Sequence, residues 1–269
     1  MDLNDIWCFV IKHDVMVRGW ALIFVAGSGL WLTSKRLKLA DANHLADTYT
    51  RAIDQIGSVS STVQLGGLYA LEELARKNKD YHWKIMKVLC AFVRRVAVYD
   101  SISVTVQAAL TVIGQRKVHF DRPKDTEDNV AIDLSGAGLR EADLIGAKLQ
   151  SAKLHDTDLR SVKLNNAQLQ KAQLQGADLE DAHFNGADLT GAHLERAILK
   201  DVHLGGAILK GVILAGAKVE GANVQGVNLE DSRLTQSQFE STNFDKYTIP
   251  PKGMTNPEAT TSRGDSENP

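Results

Sequence analysis

Residues 132–156 read IDLSG, AGLRE, ADLIG, AKLQS and AKLHD, five pentads in a row with Leu at the centre of each. The pattern does not stop there. Stepping by five from Leu134 to Phe244 gives 23 positions without one insertion: eighteen Leu, three Phe (Phe184, Phe239, Phe244) and two Val (Val219, Val224). Two residues before each runs a second series. Fourteen of its 23 members are Ala, and the rest are Ile132, Thr157, Ser232, Ser237, Thr242 and four Val.

This period excludes both ordinary elements. An α-helix turns about 100° per residue, so a step of five is about 140° and the leucines would spiral round it. A flat strand alternates faces with period two, so an odd step would send every second leucine into water. A coil that turns a corner after each pentad buries both series. The large residue points inward from the middle of each side, and the small one two before it also faces in. The other three positions face solvent, and sequences such as D-L-S-G, K-L-H-D and Q-L-Q-G show the polarity this requires.

The motif A-D-L-x-x, in Ala142-Asp143-Leu144, Ala177-Asp178-Leu179 and Ala187-Asp188-Leu189, resembles the pentapeptide-repeat family. The resemblance implies a right-handed quadrilateral β-helix with four pentads per coil over residues 132–249, a mainly β fold. Twenty-three pentads give nearly six coils. At roughly 4.8 Å per stacked layer the tower is on the order of 27 Å long. Solenoids of this kind need caps at both ends.

Upstream, residues 15–34 read VMVRGWALIFVAGSGLWLTS, twenty residues with Arg18 as their one charge. That length spans the roughly 30 Å of hydrocarbon in a bilayer, and Trp20 and Trp31 suit its interfaces. Arg18 can snorkel to the head groups. Lys35, Arg36 and Lys38 follow at once. The positive-inside rule then expects a single-pass transmembrane helix with the short segment 1–14 outside and everything after it cytoplasmic. No convincing A-x-A cleavage site follows the apolar run. The two cysteines, Cys8 and Cys90, make neither a disulfide framework nor a metal spacing.

Residues 35–116 read as a small α-helical domain. Leu45, Tyr49, Ile53 and Ile56 set the apolar spacing of a helix over 37–56, and Gly57 stops it. A second helix is expected over 63–76, with Gly66 and Gly67 marking a close backbone approach. Asp80 is expected to cap a third helix carrying Met86, Leu89, Cys90, Val93 and Val96, and a fourth covers 104–113. The runs 51–57, 64–75, 86–93 and 107–116 resemble the helical segment of bacterial membrane-anchored pentapeptide-repeat proteins. In that group a transmembrane helix, a basic stretch and a helical domain precede the repeats. The resemblance implies no enzymatic activity. Its embedded polar residues are Arg51, Gln55, Tyr69, Glu72, Glu73 and His82, read as packing and capping groups or as a shared binding surface. Residues 117–131 are charged and read as a linker, and the helical domain is expected to cover the open N-terminal edge of the tower. Tyr247, Ile249 and Pro250-Pro251 are expected to fold over the last coil, and residues 250–269 read as a disordered tail.

Stacking at twenty residues predicts columns on each side of the tower. His183 and His203 share one, with Lys163 below and Asn223 above. His193 and His155 lie on the opposite side. Asp158 stacks on Asp178 beside Glu180 and Asp181, and Glu180, Lys200 and Glu220 form an alternating ladder. Ile198, Ile208 and Ile213 face outward on three different sides. None of these sets has the composition of a metal site, a catalytic dyad or a cofactor fingerprint, so no catalytic, metal or cofactor residue is expected. The net charge of −2 and pI near 6.4 argue against nucleic-acid binding by bulk charge. Three functions follow. A membrane-tethered scaffold contacting a protein partner, with homo-oligomerisation open, fits the anchor and the rod. A DNA mimic binding a type II topoisomerase, as some of the family do in quinolone resistance, needs a strongly acidic surface. Residues 132–244 hold 15 acidic against 11 basic residues, a mixed and weak field. An enzyme in the helical domain would show a titratable cleft.

Overall fold

The computed structural model describes residues 3–97, 102–121 and 131–256, with side chains from residue 30 onward. It divides into two units, Met1–Arg51 and Ala52–Pro269. Helix α1 (Leu3–Ile56) is one continuous helix where the sequence marked a membrane span and a separate helix over 37–56. The apolar span 15–34 lies largely outside the residues whose side chains are described. Among the described residues, no helix is long and apolar enough to cross a membrane.

In the second unit the end of α1 is joined by α2 (Ser61–Lys77), α3 (Lys79–Val96) and α4 (Val104–Gly114). Their buried faces meet through Leu68, Leu71, Ile85, Met86, Leu89, Leu110 and Ile113. Of the two expected glycines only Gly67 marks a close approach. A Cβ there would stand 2.8 Å from the Ala52 carbonyl oxygen and from the Gln55 Cβ, whereas one at Gly66 meets nothing within 4 Å. Helix α3 starts earlier than Asp80. Asn78 is its N-cap, and its side-chain oxygen accepts from the Asp80 and Tyr81 amides at 3.0 and 3.3 Å. Asp80 sits in the first turn, where its charge favours the helix dipole. Ser103 caps α4 through the Val106 amide.

Residues 132–231 coil as the pentads require. Parallel bridges join Asp133 to Lys153, Gly138 to Asp158, Asp143 to Lys163 and Lys148 to Gln168, and the twenty-residue spacing persists up the tower. Each side is too short for a strand and pairs through one isolated bridge, so turns dominate a segment expected to be mainly β. Between one pentad and the next the backbone closes a β-turn, as where the Ala137 amide donates to the Leu134 carbonyl at 3.2 Å. The third residue of that turn takes positive φ, the mark of a type II turn. The central residues from Leu134 to Leu234 are buried, with the small residues two before them. Thr157, at one small position, donates to the Leu134 carbonyl oxygen. Where Val219 and Val224 replace Leu, an internal void of about 20 Å³ remains among Leu199, Leu204, Leu214 and Leu229.

The coil does not continue in register to Phe244 as the sequence pattern implies. Asn223 still pairs with Asn243, but Asn228 pairs with Ile249, one residue beyond the repeat. Helix α5 (Gln236–Glu240) replaces a side, closed by a capping box between Thr235 and Gln238. Phe239 keeps its inward place and stacks on Phe244 at 4.8 Å, leaving Phe244 half-buried. The Gln238 amide stands in for a missing coil by donating to the Ala217 carbonyl at 2.8 Å. Residues 250–256 are ordered where a disordered tail is expected, and 257–269 lie outside the described residues. Pro251 and Asn256 are buried, and Asn256 Nδ2 donates to the carbonyls of Asp245 and Thr248. Tyr247 points out to solvent, 69% exposed.

Candidate interaction surfaces

The helical domain closes the open end of the tower on all four sides of its first coil. On the first side, Arg94 Nη1 donates to the Asp133 carbonyl at 2.6 Å and pairs with its carboxylate at 3.0 Å. On the second, the Gly138 amide donates to the Ala97 carbonyl at 2.7 Å. On the third, Gln107 grips the Asp143 backbone twice: its Nε2 donates to the carbonyl at 2.7 Å and its Oε1 accepts from the amide at 2.9 Å. On the fourth, the Lys148 amide donates to the Gly114 carbonyl, Arg116 Nη1 donates to the Lys148 carbonyl, and Lys148 Nζ donates to the Arg116 carbonyl. These bonds satisfy backbone groups that an open β-edge would leave free. Gly114 is needed here: a Cβ would lie 3.0 Å from that of Ala147. Burial works against the Asp133 charge, but the Ser135 hydroxyl and amide and the Arg94 guanidinium outweigh it and hold its pKa below the usual carboxylate value.

Behind this junction lies a buried polar cluster. His82 Nδ1 lies 3.0 Å from the Ala75 carbonyl oxygen and Nε2 lies 3.1 Å from Asp121 Oδ1. Arg116 Nε donates to Asp121 Oδ2 at 2.9 Å. Asp121 belongs to the stretch read as a linker. Instead residues 118–120 form a 3-10 turn that returns against α3, the Phe120 ring standing edge-on to His82 at 5.5 Å. The remainder of that stretch, 122–130, lies outside the described residues. His82 is thus a packing and positioning group. Glu73 pairs with Arg76 and Lys77 on the surface of α2, and Tyr69 stands 61% exposed. Arg51, in the first unit, and Gln55, in the second, are exposed. Arg94, Gln107, Arg116 and Asp121 escape the sequence reading because nothing local distinguishes a residue that docks on a distant coil. Cys90 sits in the core near Asp133, and burial pushes its thiol pKa up to about 11.

The tower's columns fall where the twenty-residue step puts them. His183 and His203 stack with ring centroids 4.6 Å apart and planes 4° from parallel. Burial, then repulsion from His203, lowers the His183 pKa. His193 pairs with Glu195 and His155 with Asp156, neither joining that stack. Asp158 and Asp178 are bridged to each other and flanked by Arg160, at 2.5 and 3.7 Å; the Arg160 hydrogen bonds lower the Asp158 pKa. Lys200 bonds Glu180 at 2.9 Å, lowering the Glu180 pKa and raising its own, but its second partner is Asp201, where the ladder anticipated Glu220. Ile208 is about half exposed. Among the described residues no group of three or more His, Cys, Asp or Glu is placed to hold a metal ion.

The family model for pentapeptide repeats matches in eight copies, over residues 131–166, 163–201, 177–214 and 213–246. The repeat segment belongs to the pentapeptide-repeat family. Solved pentapeptide-repeat structures align over part of the chain. Rfr23 from the cyanobacterium Cyanothece 51142 is 28% identical, over 48% of this chain and 67% of its own, at a TM-score of 0.33. HetL from Nostoc sp. PCC 7120, involved in heterocyst differentiation regulation, is 28% identical over 43% of this chain and 58% of its own, at 0.23. QnrB1, a plasmid-mediated fluoroquinolone resistance protein, is 16% identical over 51% and 72%, at 0.29. No curated protein matches the chain.

Proposed function

We propose that this pentapeptide-repeat protein is a non-enzymatic scaffold, tethered to a membrane by residues 15–34, that presents its capped β-helix to a protein partner on the cytoplasmic side. The observation that carries the reading is the four-sided closure of the first coil. It occupies the tower's N-terminal end within its own chain, so the long sides and the outer surface of α2 are what remains for a partner. Those surfaces carry exposed apolar residues, Tyr69 and Val63 on α2 and Ile145 and Ile208 on the coils. The apolar run 15–34, with Arg18 as its one charge, and the basic residues after it supply the tether and its orientation. The topoisomerase reading is weaker, because the acidic residues of the second side are interleaved with Arg160 and Lys200 and largely neutralised by them.

The test is cell fractionation with an alkaline carbonate wash, comparing the full chain with one lacking residues 1–34, alongside protease treatment of spheroplasts. Retention of only the full chain, with the repeats protected, supports the tether. A photo-crosslinking residue at Tyr69 or Ile208 then captures the partner in intact cells. Recovery of the full chain in the soluble fraction sinks the tether, and capture of a topoisomerase subunit sinks the scaffold reading in favour of the mimic.

A further inference from the structure

Beside the buried cluster the helical domain holds a cavity of about 110 Å³, lined by Ala75, His82, Met86, Val112 and Arg116, with Glu72, Arg76, Gln115 and Lys117 around it. That volume equals the share of about four waters in the liquid, room for a ligand of a few heavy atoms. Ala75, Met86 and Val112 are buried and make its apolar floor.

The Arg116 side chain is only 3% exposed, and a guanidinium has five N–H donors. Nε is taken by Asp121 Oδ2, and Nη1 donates to the Ile113 and Lys148 carbonyls. Among the described residues, Nη2 has no hydrogen-bond partner. Both nitrogens of His82 face other acceptors, so the histidine does not compete for this space. A buried charged group with two open donors, in the wall of a cavity with an apolar floor, is a recognition element for a small anion. Lys117 adds to it. One Nζ donor goes to the Arg76 carbonyl, and a lysine has three.

We infer that this cavity binds a short-chain monocarboxylate, its carboxylate on Arg116 Nη2 and its carbon chain on Met86 and Val112. A phosphate fits worse. Met86 and Val112 offer no donor to the oxygens turned toward the floor, and Asp121 already pairs with Arg116, which leaves less charge for a second negative one. Because Arg116 also holds the Lys148 carbonyl, occupancy of the cavity fastens the helical domain to the first coil.

The experiment is thermal unfolding and titration calorimetry of the full chain in detergent with sodium acetate, propionate or butyrate, at ionic strength held constant with chloride. Butyrate is expected to raise Tm saturably, by on the order of 5 °C at a hundredfold excess over Kd. Glu72→Gln is expected to tighten binding about two- to fivefold by removing the opposing charge, and Lys117→Ala to weaken it by a similar factor. Both side chains are partly or fully exposed, so these variants keep the test sound if Arg116→Lys fails to fold. The proposal is overturned if no acid binds saturably, if phosphate or chloride does as well at equal ionic strength, or if Glu72→Gln leaves Kd unchanged.

Discussion

At the scale of the residue, the third residue of each turn sets the terms. At nineteen successive pentads, from Gly136 to Gly226, the position two after the central residue has positive φ. Ten of these are Gly, and nine are residues such as Asp156, Asn166, Lys171 and Arg196. An L side chain in this region costs about 1–2 kcal/mol. The glycines differ in what a side chain would meet. Gly211 has open space at φ +68, whereas a Cβ at Gly221 would stand 2.1 Å from Asp201 Oδ1 at φ +69. Gly211→Ala is therefore expected to cost about 1 kcal/mol in denaturant unfolding. Gly221→Ala carries the same backbone cost and about 1 kcal/mol more for displacing Asp201. Equal costs would mean that Asp201 simply swings aside. The stacked imidazoles make a second test. His183 has a lowered pKa when folded, so its neutral form contributes stability that is present above the unfolded value of about 6.5 and lost as pH falls through the folded one. His203→Asn removes one of the two leading causes, and the His183 titration followed by NMR should move up in pH. A midpoint that stays put would leave burial as the whole cause.

At the scale of the element, docking is carried by a few long-range polar contacts. Replacing Gln107 by Ala removes both bonds to the Asp143 backbone, an expected loss of about 1–2 kcal/mol. Hydrogen exchange should speed first at the Asp143 amide and in α4. Exchange that rises evenly over the whole chain would refute a local clasp. Asp133 gives the junction an acid sensitivity. Its folded pKa lies below the unfolded one, so its stabilisation is complete above about pH 4 and disappears as pH falls through the folded value. Asp133→Asn should flatten the acid limb of the stability curve, and an unchanged limb would place the sensitivity elsewhere. The period of five was legible because each leucine repeats one local rule, and α2 and α4 were legible from apolar spacing within a residue or two. What was hidden depends on distance along the chain. Arg94 and Asp133 are 39 residues apart, Arg116 and Lys148 are 32 apart, and neither pair carries a local signature. Asp121 looked like linker because its stretch is charged, yet the Phe120 ring and the Asp121 carboxylate both meet His82 on α3. The pattern also overran its own structure, since Leu234 and Phe239 keep the spacing of five while their backbone leaves the coil for a loop and α5.

At the scale of the molecule, the repeat segment is a stack closed at both ends. Each coil contacts only its neighbours, so stability accumulates layer by layer and the ends bear the exposure. Ending the chain at Asp231 removes α5, the bridge to Ile249 and the Asn256 bonds, and bares the edge of the last coils. Such a chain should associate in light-scattering measurements while keeping its amide protection near Leu144 and Leu164. A monodisperse truncated chain would show that α5 is not the guard of that edge. The coil of four sides has a consequence for how such a chain can change in length. Duplicating one pentad keeps every leucine inward and leaves the core chemistry intact. It also turns everything beyond it by a quarter of a revolution, so α5 and Tyr247 would face a new compass point relative to Arg94 and Gln107. Only additions in multiples of twenty residues preserve that bearing. The number of pentads between the two ends, counted modulo four, is a dial that sets which direction each end addresses.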